Sequence, residues 1–125
     1  MFFSKSAGVL IVEDDSALRA LYRAALQLEG YAVVAVEDGV DALRHIEVEH
    51  PAAVVLDLDL PRLGGRDVQR EINAHVDTRR IPIVIVTGSD TSDLDPRDFA
   101  CILRKPVDPQ ALITAVERCL RKAPV

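Results

Sequence analysis

The chain has 125 residues, the usual size of one domain with a single hydrophobic core. Apolar residues make up 49% and charged residues 28%, which excludes wholesale disorder, and the longest apolar runs are far too short to cross a bilayer. With 15 basic and 20 acidic residues the net charge is −5, which argues against direct nucleic-acid binding because that function needs a basic face.

Cysteine usage indicates a reducing compartment. Cys101 and Cys119 lie in apolar segments, so we expect small core residues rather than a disulfide framework. The amino end gives no secretory signal, since Phe2 and Phe3 are followed at once by polar residues. We therefore expect a cytoplasmic location.

Short β-branched runs alternate with amphipathic stretches along the chain, without an internal repeat or a linker. Runs of about four apolar residues are typical of strands covered on both faces. They predict strands at residues 9–12, 31–36, 52–56, 83–86 and 101–103. Helical spacing predicts helices at residues 16–29, 39–49, 65–76 and 109–122.

The helix boundaries carry capping residues. Asp15 or Ser16 can cap the first helix and Gly30 ends it, while Asp38 and Asp108 are placed to cap two later helices. The apolar stripe predicted for the first helix consists of Leu18, Leu21, Tyr22, Ala25 and Leu28.

The segment 88–100 connects the last two strands and is close to the minimum length for a crossover with its own helix. It is rich in Ser, Thr and Asp and contains Pro96, residues that favour turns and caps over a helix interior. We expect a helix here that is short, distorted or mobile.

Strands separated by helices imply right-handed βαβ crossovers and a parallel sheet covered on both faces. We predict a doubly wound α/β fold of five strands and five helices, the fourth helix short or irregular. The domain is expected at residues 8–122, with a flexible amino-terminal tail at 1–7 and a carboxyl-terminal tail at 123–125.

Acidic side chains follow two of the strands. Glu13 and Asp14 come directly after the first strand, and Asp57 and Asp59 follow the third. Open α/β sheets bind ligands at the carboxyl ends of their strands. If the two strands are neighbours, carboxylates about 4 Å apart repel by roughly 4 kcal/mol at an effective dielectric constant of about 20. Two or three carboxylates, a backbone carbonyl and retained waters form the usual Mg²⁺ site, which would neutralise them.

Two further groups end the fourth and fifth strands. Thr87 ends the fourth strand and Lys105 the fifth, so a hydroxyl and an amine are expected in the same crevice. A carboxylate there can attack phosphorus and form an aspartyl phosphate, while the metal, the amine and the hydroxyl stabilise the phosphoryl oxygens. Asp57 is the best candidate for the nucleophile because it ends a central strand.

These motifs resemble the receiver domain of two-component response regulators over most of the chain, from about residue 8 to residue 122. Each motif is weak alone, but four in order, each at a strand end, are specific. They are Val9-Leu10-Ile11-Val12-Glu13-Asp14-Asp15, Val55-Leu56-Asp57-Leu58-Asp59-Leu60-Pro61 with Gly64-Gly65, Ile83-Val84-Ile85-Val86-Thr87-Gly88, and Lys105-Pro106. The resemblance implies a flavodoxin-like sheet with strand order 2-1-3-4-5.

The resemblance also implies a metal site. Asp14 and Asp57 would bind Mg²⁺ directly, with Mn²⁺ as a substitute, and Glu13 would act through a water. The backbone carbonyl of Asp59 would complete the protein ligands.

The same resemblance assigns the remaining roles. Asp57 would be the phosphoacceptor, and Thr87 and Lys105 would each contact a phosphoryl oxygen. The Lys105–Pro106 peptide bond is expected to be cis. Such a domain is a switch rather than an enzyme, since it catalyses only its own phosphorylation and slow autodephosphorylation.

The chain departs from the usual receiver pattern near the fifth strand. Ile102 stands where many receivers have the Tyr or Phe whose ring turns inward on activation, and Val107 replaces an aromatic residue often found after Lys-Pro. The segment 88–100 beside them is shortened. We therefore expect phosphorylation to order this segment, in place of a ring movement.

Two alternatives remain open at this point. One is a pseudo-receiver, an interaction module that phosphorylation does not control, although such domains commonly lose part of the acidic site. The other is an aspartyl-nucleophile phosphohydrolase of the haloacid dehalogenase group, which Asp57-Leu58-Asp59 fits superficially but which usually carries a cap domain.

The partners follow from the receiver interpretation. We expect a histidine kinase or a histidine phosphotransfer protein as donor and a protein as downstream target, without membrane insertion. The chain is expected to be a monomer or a weak dimer whose formation depends on phosphorylation.

Overall fold

The computed structural model describes residues 8–122, so the tails predicted at 1–7 and 123–125 lie outside the described residues. Strands and helices alternate along this range and form one five-stranded sheet. The elements are β1 (Gly8–Val12), α1 (Ser16–Leu28), β2 (Ala32–Val36), α2 (Gly39–Glu49), β3 (Ala53–Asp57), α3 (Gly65–Ala74), β4 (Ile83–Thr87), β5 (Cys101–Arg104) and α4 (Pro109–Lys122).

All pairings in the sheet are parallel, and the strands lie in the order β2-β1-β3-β4-β5. The order expected from the resemblance is confirmed. β3 is the central strand, and all five of its residues are buried, as are those of β4. Continuous apolar runs form these strands because helices cover both faces of the sheet.

Alternate residues along the strands face two separate apolar cores. One core joins the sheet to α1 and α4, with Tyr22, Leu26 and Leu112 at its centre. The other joins the opposite face to α2 and α3 through Ile46 and Ile72. The sheet therefore holds its strand ends in fixed relative positions.

The helix caps are as expected. Asp15 accepts hydrogen bonds from two backbone amides in the first turn of α1, and Asp38 accepts one from Asp41 at the start of α2. Asp108 accepts from the Gln110 amide at the start of α4. Gly30 follows α1 with φ of 97°, a left-handed conformation that glycine adopts without a steric penalty.

The apolar stripe predicted for α1 is wrong at two positions. Leu21 is 44% exposed and Leu28 is 86% exposed, whereas Leu26 is fully buried beside Tyr22. Tyr22 and Leu26 are four residues apart and therefore lie on one face of the helix. Leu28 lies in the last turn, on a face that no neighbouring element covers to any large extent.

The segment 88–100 contains one 3₁₀ turn, Pro96–Asp98, where a fourth helix was expected. The described residues thus contain four α-helices, which corrects the predicted five. Asp95 caps the turn through the Arg97 amide. The Ser, Thr, Asp and Pro residues of this segment favour turns over a helix interior, which explains why an α-helix does not form here.

Arginine side chains hold the segment 88–100 in place from outside. Arg104 of β5 donates to the Ser89 carbonyl and, at 2.7 Å, to the Thr91 hydroxyl. Arg66 of α3 donates to the carboxylate of Asp93 at 2.8 and 2.9 Å and to the Asp90 carbonyl at 2.7 Å. These polar anchors to two neighbouring elements add to the packing of Leu94 and Phe99 against the core.

Among the described residues, no helix combines the length and the apolar composition that crossing a membrane requires.

Candidate functional site

Asp57 is the last residue of the central strand, and its side chain is 2% exposed at the carboxyl edge of the sheet. β1 lies beside β3 with Val12 opposite Leu56, so the residues that follow β1 reach the same edge. Those residues are Glu13 and Asp14. The parallel register therefore brings acidic groups from distant parts of the sequence together.

Three carboxylates converge at this edge. Glu13, Asp14 and Asp57 each offer one oxygen, and these oxygens lie within 4.8 Å of one another. Glu13 and Asp57 are buried, whereas Asp14 is exposed at the rim. An oxygen-only donor set with one solvent-facing member fits Mg²⁺, a hard ion that retains several waters. We call this group the acidic cluster.

Lys105 supplies the positive charge of the site. Its Nζ lies 2.8 Å from Oε1 of Glu13 and 3.2 Å from Oδ2 of Asp57. The Lys105 backbone amide donates to the Thr87 carbonyl at 3.1 Å, which ties the residue to the end of β4. The Lys105–Pro106 peptide bond is cis. One amine thus bridges two buried carboxylates.

Burial and charge act against each other on the pKa values of this site. Burial raises the pKa of Glu13 to about 7, and the Asp57 charge adds to the effect, although Lys105 and the Asp15 amide oppose it. Burial alone would lower the pKa of Lys105, but its contacts with Glu13 and Asp57 outweigh this and raise it. The charge of Lys105 therefore offsets only part of the effect of burial on Glu13.

Asp57 is held in one orientation by donors on both of its oxygens. The Asp59 amide donates to Oδ1 at 3.1 Å, and Lys105 donates to Oδ2 at 3.2 Å. Gly65, at the start of α3, packs against the backbone just after Asp57. A Cβ on Gly65 would lie 2.3 Å from the Asp57 carbonyl oxygen. The loop behind the acid is therefore closely packed as well.

The side chain of Asp59 is directed away from the acidic cluster. Its Oδ2 accepts a hydrogen bond of 2.6 Å from the Ser89 hydroxyl, so it links the loop after β3 to the segment 88–100. A metal-binding role for the backbone carbonyl of Asp59 stays a prediction.

Thr87 is fully buried at the end of β4, the strand next to β3. Its hydroxyl accepts a hydrogen bond of 3.0 Å from the Ser89 amide. The hydroxyl proton is a separate donor that this contact does not use. Thr87 therefore joins the strand end to the start of the segment 88–100.

Several arginines of the site region were missed in the sequence. Nη1 of Arg19 donates to the carbonyls of Glu13 and Asp14 at 3.0 and 3.2 Å. Arg62, which has a positive φ of 64°, forms an ion pair with the buried Asp38. Arg19 lies about one helical turn after Asp15, and this spacing is only a weak indication in the sequence that its side chain reaches the residues after β1. For Arg62 the sequence offers none, because its partner is 24 residues away.

Comparison with known proteins identifies the same family from two directions. The sequence profile described as the response regulator receiver domain matches residues 9–117. Response regulator MprA from Mycobacterium ulcerans (strain Agy99) is 40% identical over 86 residues, which are 69% of this chain and 36% of that protein. The chain thus spans about a third of the length of the curated relatives that it matches.

Solved structures give the same result. The receiver domain of sensor histidine kinase PA1611 from Pseudomonas aeruginosa PAO1 superimposes with a TM-score of 0.84 at 29% identity, covering 94% of this chain and 99% of that one. That structure holds a magnesium ion coordinated in its active site cleft. The signal receiver domain of a signal transduction histidine kinase from Syntrophus aciditrophicus gives 0.81 at 26% identity, covering 92% and 90%.

Proposed function

The chain belongs to the response regulator receiver domain family, and from that premise we propose that Asp57 is the residue on which this two-component switch accepts its phosphoryl group. One observation carries the proposal. Asp57 ends the central strand with an amine 3.2 Å from one oxygen and two further carboxylates within 4.8 Å. A purely structural aspartate would need neither the amine nor the convergence of strand ends.

The donor is proposed to be a phosphohistidine on a histidine kinase or on a histidine phosphotransfer protein. An oxygen of Asp57 attacks phosphorus, the O–P bond forms as the P–N bond breaks, and the electron pair of that bond returns to the imidazole. The Asp59 amide and Lys105 hold the carboxylate in place before the attack. This orientation lowers the entropic part of the barrier.

The acidic cluster would hold Mg²⁺, with Mn²⁺ as a substitute. Asp14 and Asp57 are proposed as direct ligands, Glu13 as a ligand through water, and the Asp59 carbonyl as the remaining protein ligand. A bound Mg²⁺ offsets negative charge on the phosphoryl oxygens during transfer. The donor chemistry of the three carboxylates fits this ion, because all of their ligand atoms are hard oxygens.

Thr87 and Lys105 are proposed to contact two different phosphoryl oxygens. The Thr87 hydroxyl accepts from the Ser89 amide and keeps its own proton to donate. Lys105 already lies against the acceptor carboxylate, so it needs little movement to reach a phosphoryl oxygen on Asp57. Both contacts strengthen as negative charge builds up, which stabilises the transition state.

The output is proposed to be a change in binding to other proteins. The chain would act in the cytoplasm as a monomer or a weak dimer that phosphorylation favours. Its chemistry would end at one phosphoryl group per chain and slow autodephosphorylation, without turnover of a separate substrate.

Acetyl phosphate with Mg²⁺ tests the proposal, because a small donor removes the need for the kinase. We expect labelling that approaches one phosphoryl group per chain and stops when the metal is chelated. Asp57→Asn should abolish the label while the circular dichroism spectrum stays unchanged. Asp67→Asn is the matched control, since this exposed carboxylate on α3 pairs with Arg70 instead, and should label as the parent does.

The remaining outcomes separate the alternatives. No labelling of the folded parent chain would favour a pseudo-receiver. Continuous release of phosphate over many turnovers would favour a phosphohydrolase. Full labelling of Asp57→Asn would show that another residue is the acceptor.

A further inference from the structure

The two cysteines of the chain line one cavity, whose lining includes no residue of the acidic cluster. Cys101 is the first residue of β5 and Cys119 lies in α4, and their thiols are joined by a hydrogen bond. Both line a cavity of about 780 Å³ between β5, α4 and the start of β4. Lys105 follows the opposite end of β5, so this cavity is separate from the site described above.

The two thiols differ in exposure. Cys119 is 7% exposed and packs in the core between the sheet and α4, whereas Cys101 is half-buried at the edge of that core. Solvent therefore reaches Cys101 more readily. A small molecule entering the cavity can therefore reach this thiol, and the second cysteine lines the same cavity.

The surroundings favour a reactive Cys101. Arg80 and Arg118 also line the cavity. The hydrogen bond from Cys119, and to a lesser extent the Arg118 charge, lower the pKa of Cys101 to about 7 against the opposing effect of burial. A thiol with this pKa is partly thiolate at neutral pH, and the thiolate is the form that attacks oxidants.

We propose that Cys101 and Cys119 form an oxidisable dithiol site that hydroperoxides convert into a disulfide tethering β5 to α4. Two observations carry it: both cysteines line one cavity although they belong to separate elements, and that cavity is open to a molecule as small as a peroxide. In a reducing compartment the pair stays as thiols until the oxidant concentration rises.

The chemistry proceeds in two balanced steps. The Cys101 thiolate attacks one oxygen of hydrogen peroxide, an S–O bond forms, the O–O bond breaks, and the departing hydroxide takes a proton to become water. Cys119 then attacks the sulfenic sulfur, the S–S bond forms, the S–O bond breaks and a second water leaves. Two thiols lose two electrons and two protons, and the peroxide takes up both and is reduced to two waters.

The test oxidises the folded chain with graded hydrogen peroxide and follows the intact mass and the free thiols. We expect the monomer to lose about 2 Da, both thiols to disappear together, and dithiothreitol to restore them. Proteolysis should yield one peptide pair linked through residues 101 and 119. Cys101→Ser and Cys119→Ser are matched controls that keep one thiol each and should show no loss of about 2 Da.

The mass and thiol measurements on the parent chain test the proposal by themselves. Poor folding of a cysteine variant would therefore not affect the conclusion. Addition of oxygen atoms to the two cysteines without the loss of about 2 Da would overturn the proposal. So would disulfides between chains, or a disulfide that forms only after urea has unfolded the protein. Each of these results would show that the native contact does not direct the oxidation.

Discussion

Lys105 has two effects on the acidic cluster that act in opposite directions. Its amine neutralises part of the charge of Glu13 and Asp57, from which it is 2.8 and 3.2 Å away. The same positive charge repels a dication bound beside those carboxylates. The proposed phosphoryl transfer uses both cations, so the site would give up some metal affinity to keep an amine next to Asp57.

Lys105→Met separates these two effects. We expect the variant to bind Mg²⁺ roughly thirtyfold more tightly, since a unit charge about 4 Å from a dication contributes about 2 kcal/mol in a water-like dielectric. Labelling by acetyl phosphate should fall at the same time, because a charge partner of the phosphoryl oxygens is lost. Isothermal titration with MgCl₂ measures the first effect.

Arg104→Met is the control for Lys105→Met. It removes the adjacent cation, but that guanidinium contacts the segment 88–100 rather than the acidic cluster. Its Mg²⁺ affinity should stay close to that of the parent. Unchanged or weaker Mg²⁺ binding by Lys105→Met would contradict the charge argument.

The charged carboxylate of Asp38 stabilises the folded state. Its Oδ1 caps α2 by accepting the Asp41 amide at 2.9 Å, and its Oδ2 pairs with Arg62. The Asp41 amide, with a smaller contribution from Arg62, lowers the pKa of Asp38 below its ordinary value of 3.8. The charged form is therefore favoured by folding, and its stabilisation is present above pH 3.8 and disappears as the pH falls through the lowered pKa.

Asp38→Asn keeps a capping oxygen and removes only the charge. At pH 7 the variant should unfold at a lower urea concentration than the parent. The difference should shrink below pH 3.8 and close once the parent carboxylate is protonated. A difference that persists unchanged at the lowest pH would assign the effect to packing. Combining the substitution with Arg62→Gln in a double-mutant cycle isolates the ion pair from the cap.

The acidic cluster and Lys105 could be predicted because these residues end a strand or come just after one. Glu13, Asp14 and Lys105 needed only the strand pattern and the rule that parallel strands end at one edge. The Asp59–Ser89 hydrogen bond and the arginine anchors could not be predicted in this way. Long side chains cross loops whose backbone paths the sequence leaves open, and each such contact depends on those paths.

At the scale of elements, the sequence located all four α-helices and placed most of their ends within two residues. It was wrong about part of the buried face of α1, because the predicted stripe included Leu21 and Leu28 and left out Leu26. Leu21 and Leu28 form an apolar stripe of their own, seven residues apart, beside the stripe of Tyr22 and Leu26. Periodicity alone cannot choose between two adjacent stripes. The choice depends on where β2 and α4 lie, and α4 is more than 80 residues later in the chain.

Two leucine substitutions in α1 measure this difference. Leu26→Ala removes a fully buried side chain from the core shared with α4, and should lower the free energy of unfolding by about 2 to 4 kcal/mol. Leu28→Ala is the matched control at 86% exposure and should change it by no more than about 0.5 kcal/mol. Urea denaturation followed by circular dichroism compares the two. An equal loss of unfolding free energy in the two variants would contradict the burial of Leu26 and the exposure of Leu28.

At the scale of the whole molecule, a rigid sheet carries one adaptable connection. Apolar cores on both faces fix the strand ends, whereas the segment 88–100 packs only Leu94 and Phe99 against one of them and is otherwise held by polar contacts that include Arg66 and Arg104. Exposed polar anchors of this kind are individually weak, so such a segment opens at low cost in free energy. A change at Thr87 reaches it directly, because Thr87 and Asp59 both hydrogen-bond Ser89.

We therefore expect phosphorylation to tighten the segment 88–100. A phosphoryl oxygen on Asp57 would attract the Thr87 hydroxyl, and the Ser89 amide bound to that hydroxyl would move with it. Residue 102 is an isoleucine, so an aromatic ring cannot turn inward there. We therefore expect that ordering of the segment 88–100 transmits the signal. Hydrogen exchange with beryllofluoride and Mg²⁺ should show greater protection at residues 89–95.

Asp57→Asn and Arg104→Ala test the two ends of this route. Asp57→Asn should show no gain in protection, because beryllofluoride needs the carboxylate. Arg104→Ala removes the contacts to Ser89 and Thr91 and should still bind beryllofluoride but gain less protection. Arg97→Ala is the control for Arg104→Ala. Among the described residues, the side chain of Arg97 pairs with Asp95, the residue that caps the 3₁₀ turn, and it does not contact Ser89 or Thr91. If the parent chain bound beryllofluoride and hydrogen exchange at residues 89–95 stayed unchanged, the expected ordering of this segment would be wrong. Another part of the surface would then have to change on phosphorylation.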